Sequence, residues 1–279
     1  CPPSATLELC LRAIDDTLAS ARDERLCVRG LGLILPGSLD LTSRRPTIIS
    51  ALPSLSGFPL SDLLEARYHL PASLHVDVDA AVLGEYHFGA GRGLKRLLLL
   101  SANAVVGASL MSEGRIEPAP SEYVGHICHL SVANSGPRCS CGKRGCLNTL
   151  VTLDAMQKML QRAVRRGDTT SILQRLSNRE HFSLQLLAEE ARAGDGVAAQ
   201  ICAEVSRWLG VAIARYIDIF EPNRLILGGI FSTSELLLSG VRRSFDSRSS
   251  SRVCSMVEIA TATLGKDAAL LGATIGFLV

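Results

Sequence analysis

Residues 125–148 read GHICHLSVANSGPRCSCGKRGCLN, and they hold two of the chain's six His and four of its nine Cys. A disulfide knot, a redox pair, a metal site and chance are the alternatives for so many soft ligands in one short stretch. Cys139, Cys141 and Cys146 form C-x-C-x4-C, His129 lies ten residues upstream, and Gly142 and Gly145 fall between the thiols. Ligands that converge from a sharply turned backbone need such glycines. Three thiolates and one imidazole make the closed tetrahedral donor set of a structural zinc site. Zinc is therefore the expected cofactor, held by His129, Cys139, Cys141 and Cys146. Lys143 and Arg144 would offset the negative charge of the three thiolates. Cys128 stays outside the set, because it would crowd His129 from the adjacent position.

Outside this stretch the cysteines carry no framework. Cys1, Cys10, Cys27, Cys202 and Cys254 are scattered, which argues against a secreted disulfide scaffold and for a reducing, cytoplasmic setting. The 279 residues suffice for one large domain or two lobes. With 29 Lys and Arg against 27 Asp and Glu the net charge is +2, and no long basic run stands out. A nucleic-acid-binding face is thus not expected in this segment. The apolar stretch 96–111 is too short to span a bilayer and carries strand and turn signals, so no membrane partner is expected. The chain starts at Cys1 rather than Met, so the natural N-terminus is expected to be missing.

Hydrophobic periodicity predicts a helix over 6–22 and a strand over 26–35 that ends in the Pro36-Gly37 turn. Residues 38–58, rich in Ser and Pro, read as loop. The stretch 59–70 reads as a short helix, with Ser61 or Asp62 as the candidate N-cap. Residues 73–78 read as a strand, 79–89 as a helix and 94–102 as a buried strand. The stretch 104–116 reads as a hairpin turning at Glu113-Gly114. Beyond the Cys-rich stretch helices dominate from 152 to 220. They are followed by a strand ending at Gly228-Gly229, a helix, a Ser/Arg-rich loop over 244–255, a strand and a last helix. Strands alternating with helices imply an α/β fold with a largely parallel core. The expected division is a truncated lobe over 1–124, then the Cys loop with a second, helix-rich lobe over 125–279.

The Cys loop with its preceding GHICH resembles the signature of the ROK family (repressor, open reading frame, kinase), in which a Gly-His element precedes C-x-C-G-x-x-G-C-x-E. The similarity continues through GLGLILPGSLD, DAAVLGEYHFGAGRG, EPNRLILGG and LGKDAALLGA, in the family's order. This resemblance implies an actin-like, ribonuclease-H-like fold of two α/β lobes around a cleft, here without its N-terminal strands. It implies either a sugar kinase or a sugar-responsive transcription regulator, and fold alone does not decide between them.

The phosphate-binding positions lean against a kinase. The family's first phosphate loop, Asp-x-Gly-x-Thr, is absent. Where its second reads like T-G-I-G-x-G, residues 103–109 read NAVVGAS, with only Gly107 retained. β-Branched Val105 and Val106 would block a close backbone approach to phosphate, so ATP is not expected as a cofactor. Counting back from Gly84-Glu85, the family's catalytic Asp matches Asp77 and its preceding Asn matches Val76. Asp77 would be the base if the chain were a kinase, and otherwise a hydroxyl-binding group. His126 stands where the family has Glu, Cys128 where it has Gly, and Asn148 where it has Glu after the last Cys. The resemblance thus places Asp77, His126, His129 and Asn148 around a ligand, with Pro36, Gly37 and Ser38 on the opposite wall. Exchanging acceptors for Val, His and Asn disfavours plain glucose and favours an anionic sugar, such as a sugar phosphate attracted by protonated His126. The expected function is the effector-binding and oligomerisation region of a NagC/Mlc-type regulator. Such a protein reaches DNA through a separate N-terminal domain and forms a homodimer or homotetramer. A truncated ROK sugar kinase and a zinc-stabilised protein-interaction domain are the alternatives.

Overall fold

The computed structural model describes residues 3–40, 43–48, 53–102, 105–117 and 127–278. The first half contains α1 (Pro3–Asp23), β1 (Leu31–Leu35), β2 (Ser38–Asp40), β3 (Arg45–Ile48), α2 (Leu60–Tyr68), β4 (Ala72–Val76) and α3 (Asp77–Phe88). It continues with β5 (Arg96–Ala102), β6 (Val106–Ser112) and β7 (Arg115–Ile116). A 3₁₀ turn at Ile127–His129 leads into the Cys loop. Then come α4 (Asn148–Val151), α5 (Leu153–Arg165), α6 (Ile172–Ser177), α7 (Leu184–Arg192) and α8 (Gly196–Phe220). The chain ends with β8 (Arg224–Gly229), α9 (Glu235–Asp246), α10 (Ser251–Met256), β9 (Glu258–Thr261) and α11 (Ala268–Ala273).

The run of four leucines in β5 organises the larger sheet, whose strand order is β7-β6-β5-β8-β9. Successive side chains in a strand point to opposite faces. Leu98 and Leu100 join the core formed with α5, α7, α8 and α9, whereas Leu97 and Leu99 pack with Val82 of α3, Met111 and Ile226 on the other face. A strand covered on both faces reads as an unbroken apolar run. β5, β8 and β9 are parallel, and β6 returns antiparallel to β5. This sheet draws its strands from both sides of residue 124.

β1 and β4 form a separate parallel pair, in register from Leu31↔Ala72 to Leu35↔Val76. Leu35, Leu55, Leu60, Leu64 and Ala72 build a small core there, with Leu7, Leu11 and Ile14 of α1 packed on it. α8 is long and apolar enough to cross a bilayer by length and composition. Its apolar stripe, from Val197 to Ile217, is instead buried against α5, α7 and α9.

Several local expectations need correction. The Ser- and Pro-rich segment after Gly37 is not all loop, since β2 and β3 pair antiparallel within it. Pro46 is tolerated there because a two-stranded ribbon leaves N–H positions outside the ladder. β4 ends at Val76 and α3 begins at Asp77, two residues earlier than the pattern predicts. Asp77 Oδ1 accepts the Val78 N–H at 2.8 Å, and Asp77 and Asp79 lie in the first turn, where acidic groups favour a helix start. α2 begins at Leu60, so Ser61 and Asp62 are inside it rather than capping it. The Ser/Arg-rich loop contains α10, with Ser250 as a cap that accepts the Val253 N–H.

α3 is held on its C-terminal side by α11 at backbone contact distance. A Cβ on Gly84 would lie 2.0 Å from the Ala268 carbonyl oxygen, and one on Gly272 would lie 1.8 Å from that of Ala80. Glu85, fully buried, accepts the N–H groups of Ala90, Thr263 and Leu264 and the hydroxyl of Thr263. This carboxylate ties α3 to the loop before α11, and α3 carries Asp77 at its free end.

Candidate functional site

The Cys loop is shaped by its backbone. Val132 and Ala133 donate to the Gly145 carbonyl, Cys139 to that of Lys143, Gly142 to that of Cys139, and Gly145 to that of Pro137. Gly142 and Gly145 have φ values of +88° and +67°. At Gly145 a Cβ would also lie 2.0 Å from the Ala133 carbonyl oxygen, so only glycine fits. These turns bring one donor atom each from His129, Cys139, Cys141 and Cys146 within 4.8 Å of one another. His129 Nδ1 is 3.3 Å from Cys139 Sγ, and the Sγ atoms of Cys141 and Cys146 are 3.6 Å apart. A tetrahedral ion with zinc-like bond lengths separates its donors by about 3.5–3.8 Å, so the residues fit such an ion. Burial pushes the Cys146 thiol up to about 12, with the neighbouring Cys141 adding to it. The Lys143 N–H instead holds the exposed Cys141 below the usual thiol range. A cation among the four groups compensates the cost of a buried thiolate. Cys128 is buried, its thiol raised to about 11 by burial, and it lies outside the four-residue group.

The second part of the site lies where β1 and β4 end together. Because Leu35 pairs with Val76, the Pro36-Gly37-Ser38 turn and Asp77 leave the carboxyl ends of adjacent parallel strands. Such ends are where open α/β sheets bind ligands. Ser38 Oγ is within 2.9 Å of Thr47 Oγ1 across the β2–β3 ribbon. β6 connects this corner to the Cys loop. The Val106 N–H donates to Asn148 Oδ1 at 3.0 Å, and Gly107 packs on Val78. Ser109 Oγ donates to Asp79 Oδ1 at 2.6 Å, and the 3₁₀ turn of His129 packs on the same strand. Asp77, Asn148 and His129 are thus gathered around one strand from three distant segments. His126 lies outside the described residues.

Sequence reasoning set Asp79 aside in favour of Asp77, and it missed the partner of Asp79, Ser109. Burial raises the Asp79 carboxyl above its usual range against the opposing Ser109 hydrogen bond, and the charge of Asp77 raises it further. Asp77 is itself raised by burial. The D-x-D spacing at a helix start was the available signal. What it lacked was the partner strand.

At the predicted phosphate stretch, residues 103 and 104 are not described. Val105 is 54% exposed, Val106 pairs with Ala102, and Gly107 pairs with Ser101 in the β5–β6 ladder.

The sequence profile of the ROK family matches residues 1–278. A glucokinase from Halalkalibacterium halodurans is 28% identical over 263 residues, covering 93% of this chain and 79% of that protein. The Escherichia coli K12 DNA-binding transcriptional dual regulator NagC is 27% identical over 210 residues, covering 75% of this chain and 50% of the regulator. Among solved structures, a ROK family transcriptional regulator homologous to the E. coli MLC protein superposes with a TM-score of 0.85 at 22% identity, over 96% of this chain and 67% of that one. A ROK family glucokinase from Streptomyces griseus, solved with glucose and AMPPNP, superposes with a TM-score of 0.75 at 27% identity, over 93% and 85%. Regulators and kinases therefore share this actin-like, two-lobed α/β fold. From its Cys loop to its C-terminal helix, and across nearly its whole length, the chain belongs to the ROK family.

Proposed function

We propose that this chain is the effector-binding and oligomerisation region of a sugar-responsive ROK regulator, and that it does not transfer phosphate. The observation that carries this reading is the start of β6. A phosphate cradle presents free backbone N–H groups from a flexible glycine loop. Here the Val106 N–H is committed to Asn148 Oδ1, and Gly107 is locked in the ladder opposite Ser101. Val105 and Val106 add β-branched bulk where the backbone would have to approach phosphate. The sugar end of the cleft keeps its Asp77 carboxylate, and its Asn148 carbonyl oxygen is used internally, so Asn148 offers the ligand its amide N–H groups. In this reading zinc is bound by His129, Cys139, Cys141 and Cys146 and holds the loop that carries Asn148. The dimer or tetramer, the contact with DNA through a separate N-terminal domain and the cytoplasmic setting belong to the same reading.

The test separates binding from turnover. With ATP, Mg²⁺ and a panel of hexoses, N-acetylhexosamines and their 6-phosphates, ADP release stays at background. Calorimetry without ATP gives saturable binding of at least one of them. Turnover above about 1 s⁻¹ that Asp77→Ala abolishes overturns the proposal in favour of a kinase, and the absence of both binding and turnover leaves a zinc-stabilised interaction domain.

A further inference from the structure

We propose that the groove between α8 and α9 binds a phosphorylated small molecule, at a site separate from the cleft around Asp77. The two helices approach closely because each presents a glycine to a serine of the other. A Cβ on Gly210 would lie 2.4 Å from Ser244 Cβ, and one on Gly240 would lie 2.8 Å from Ser206 Cβ. Beside this crossing opens a concave groove of about 520 Å³. Arg207 of α8, Arg243 of α9 and Arg248 just beyond α9 line it over a floor that includes Ala203 and Leu236. No carboxylate lines the groove. Among the described residues, none of these three arginines enters an ion pair.

Two of the guanidinium groups are held in place. Arg207 lies over the Trp208 ring, 3.9 Å from its centroid. Arg248 donates to the carbonyl and hydroxyl oxygens of Ser244 and to the Ser247 hydroxyl, while the Ser244 hydroxyl donates to the Arg207 carbonyl. The Arg243 guanidinium makes no hydrogen bond among the described residues, and Arg243 is exposed where it lines the groove. Planar guanidinium forks match the oxygens of a phosphate, and a fixed fork loses less freedom on binding than a mobile one. The volume falls within the range of about 300–1,000 Å³ typical of small-molecule sites, and the apolar floor suits the sugar or base that carries the phosphate. A net charge of only +2 supplies no extended basic stripe for a nucleic-acid duplex. The site stands independently of the sugar-effector reading, because no residue is shared with the cleft.

Trp208 is the chain's single tryptophan, so the groove has its own fluorescent reporter. The intact protein is titrated with inorganic phosphate, glucose 6-phosphate and AMP at constant ionic strength, with KCl and free glucose as controls. Calorimetry is the second readout. A saturable change with half-saturation below about 1 mM is expected for at least one phosphate compound, and the preferred one distinguishes a sugar phosphate from a nucleotide. Arg243→Ala weakens it at least about tenfold with an unchanged melting temperature, Arg243→Lys restores part of it, and Asp77→Ala leaves it intact. A response that only tracks KCl, or binding unaltered in Arg243→Ala, overturns the proposal. So does loss of the response in Asp77→Ala, which would place the ligand in the cleft. Displacement of AMP by a short DNA duplex at lower concentration would make the groove a nucleic-acid contact instead.

Discussion

At the residue scale, the Cys loop shows how few positions are needed to commit a backbone to one chemistry. Gly145 supplies a left-handed conformation under the Ala133 carbonyl, and the chain then returns Cys146 to within 3.6 Å of Cys141. With three thiols and an imidazole within 4.8 Å of one another, a bound cation would take the place of the thiol protons and tie these segments together. Elemental analysis of purified protein should therefore show one zinc per chain. Cys141→Ser should lower both metal content and melting temperature, although Cys141 is exposed and contributes little packing. Full metal occupancy in a variant with all three of Cys139, Cys141 and Cys146 changed to Ser would remove this assignment.

At the element scale, the placement of Asp77 depends on the crossing of its own helix, α3, with α11 near the other end of the chain. α3 and α11 meet through Ala80, Gly84, Ala268 and Gly272 at distances that leave no space for a further methyl group. Gly272→Ala must push α11 off α3. Overpacking of this kind costs about 1–3 kcal/mol, and it displaces the helix whose first residue is Asp77. The expected outcome is a lower unfolding midpoint in denaturant together with weaker ligand binding. Gly276→Ala is the control, because nothing lies within 4 Å of its Cβ position and it should be close to neutral. Equal effects of the two substitutions would show that the crossing is not what sets the site.

At the scale of the whole molecule, ligand and fold are linked. The proposed ligand residues come from β4–α3, the turn after β1, the Cys loop and α4, with β6 between them. A ligand that bridges these segments binds the folded state alone. At a hundred times its dissociation constant it should stabilise the protein by about 2.7 kcal/mol, readable as a rise in melting temperature with the sugar that calorimetry identifies. Asp77→Ala should abolish the rise. Arg243→Ala, in the groove between α8 and α9, should retain it. A sugar that binds without shifting the melting temperature would place its contacts outside this assembly of segments.

The sequence by itself marked the four His and Cys residues that the fold gathers into one cluster, the alternation of strands and helices, the buried β5 and the long α8. Each of these rests on local spacing: C-x-C-x4-C with glycines between, a period of two or 3.6, an unbroken apolar run. The resemblance to the family also singled out Asp77, counted back from Gly84-Glu85, and Asn148, after the last Cys of the loop. Where local signals conflicted, the tertiary structure decided. Ser and Pro in the segment after Gly37 looked like loop because hairpin pairing is set by a partner strand, and Asp77 looked like part of a strand because no side-chain cap marks the start of α3. Asp79 was passed over for Asp77 because its meaning comes from Ser109, thirty residues away. The same holds for the commitment of the Val106 N–H to Asn148 and for three arginines meeting in one groove. Such contacts join residues with no fixed separation along the chain, so no periodicity records them, and only the packing of helices against the sheet brings them together.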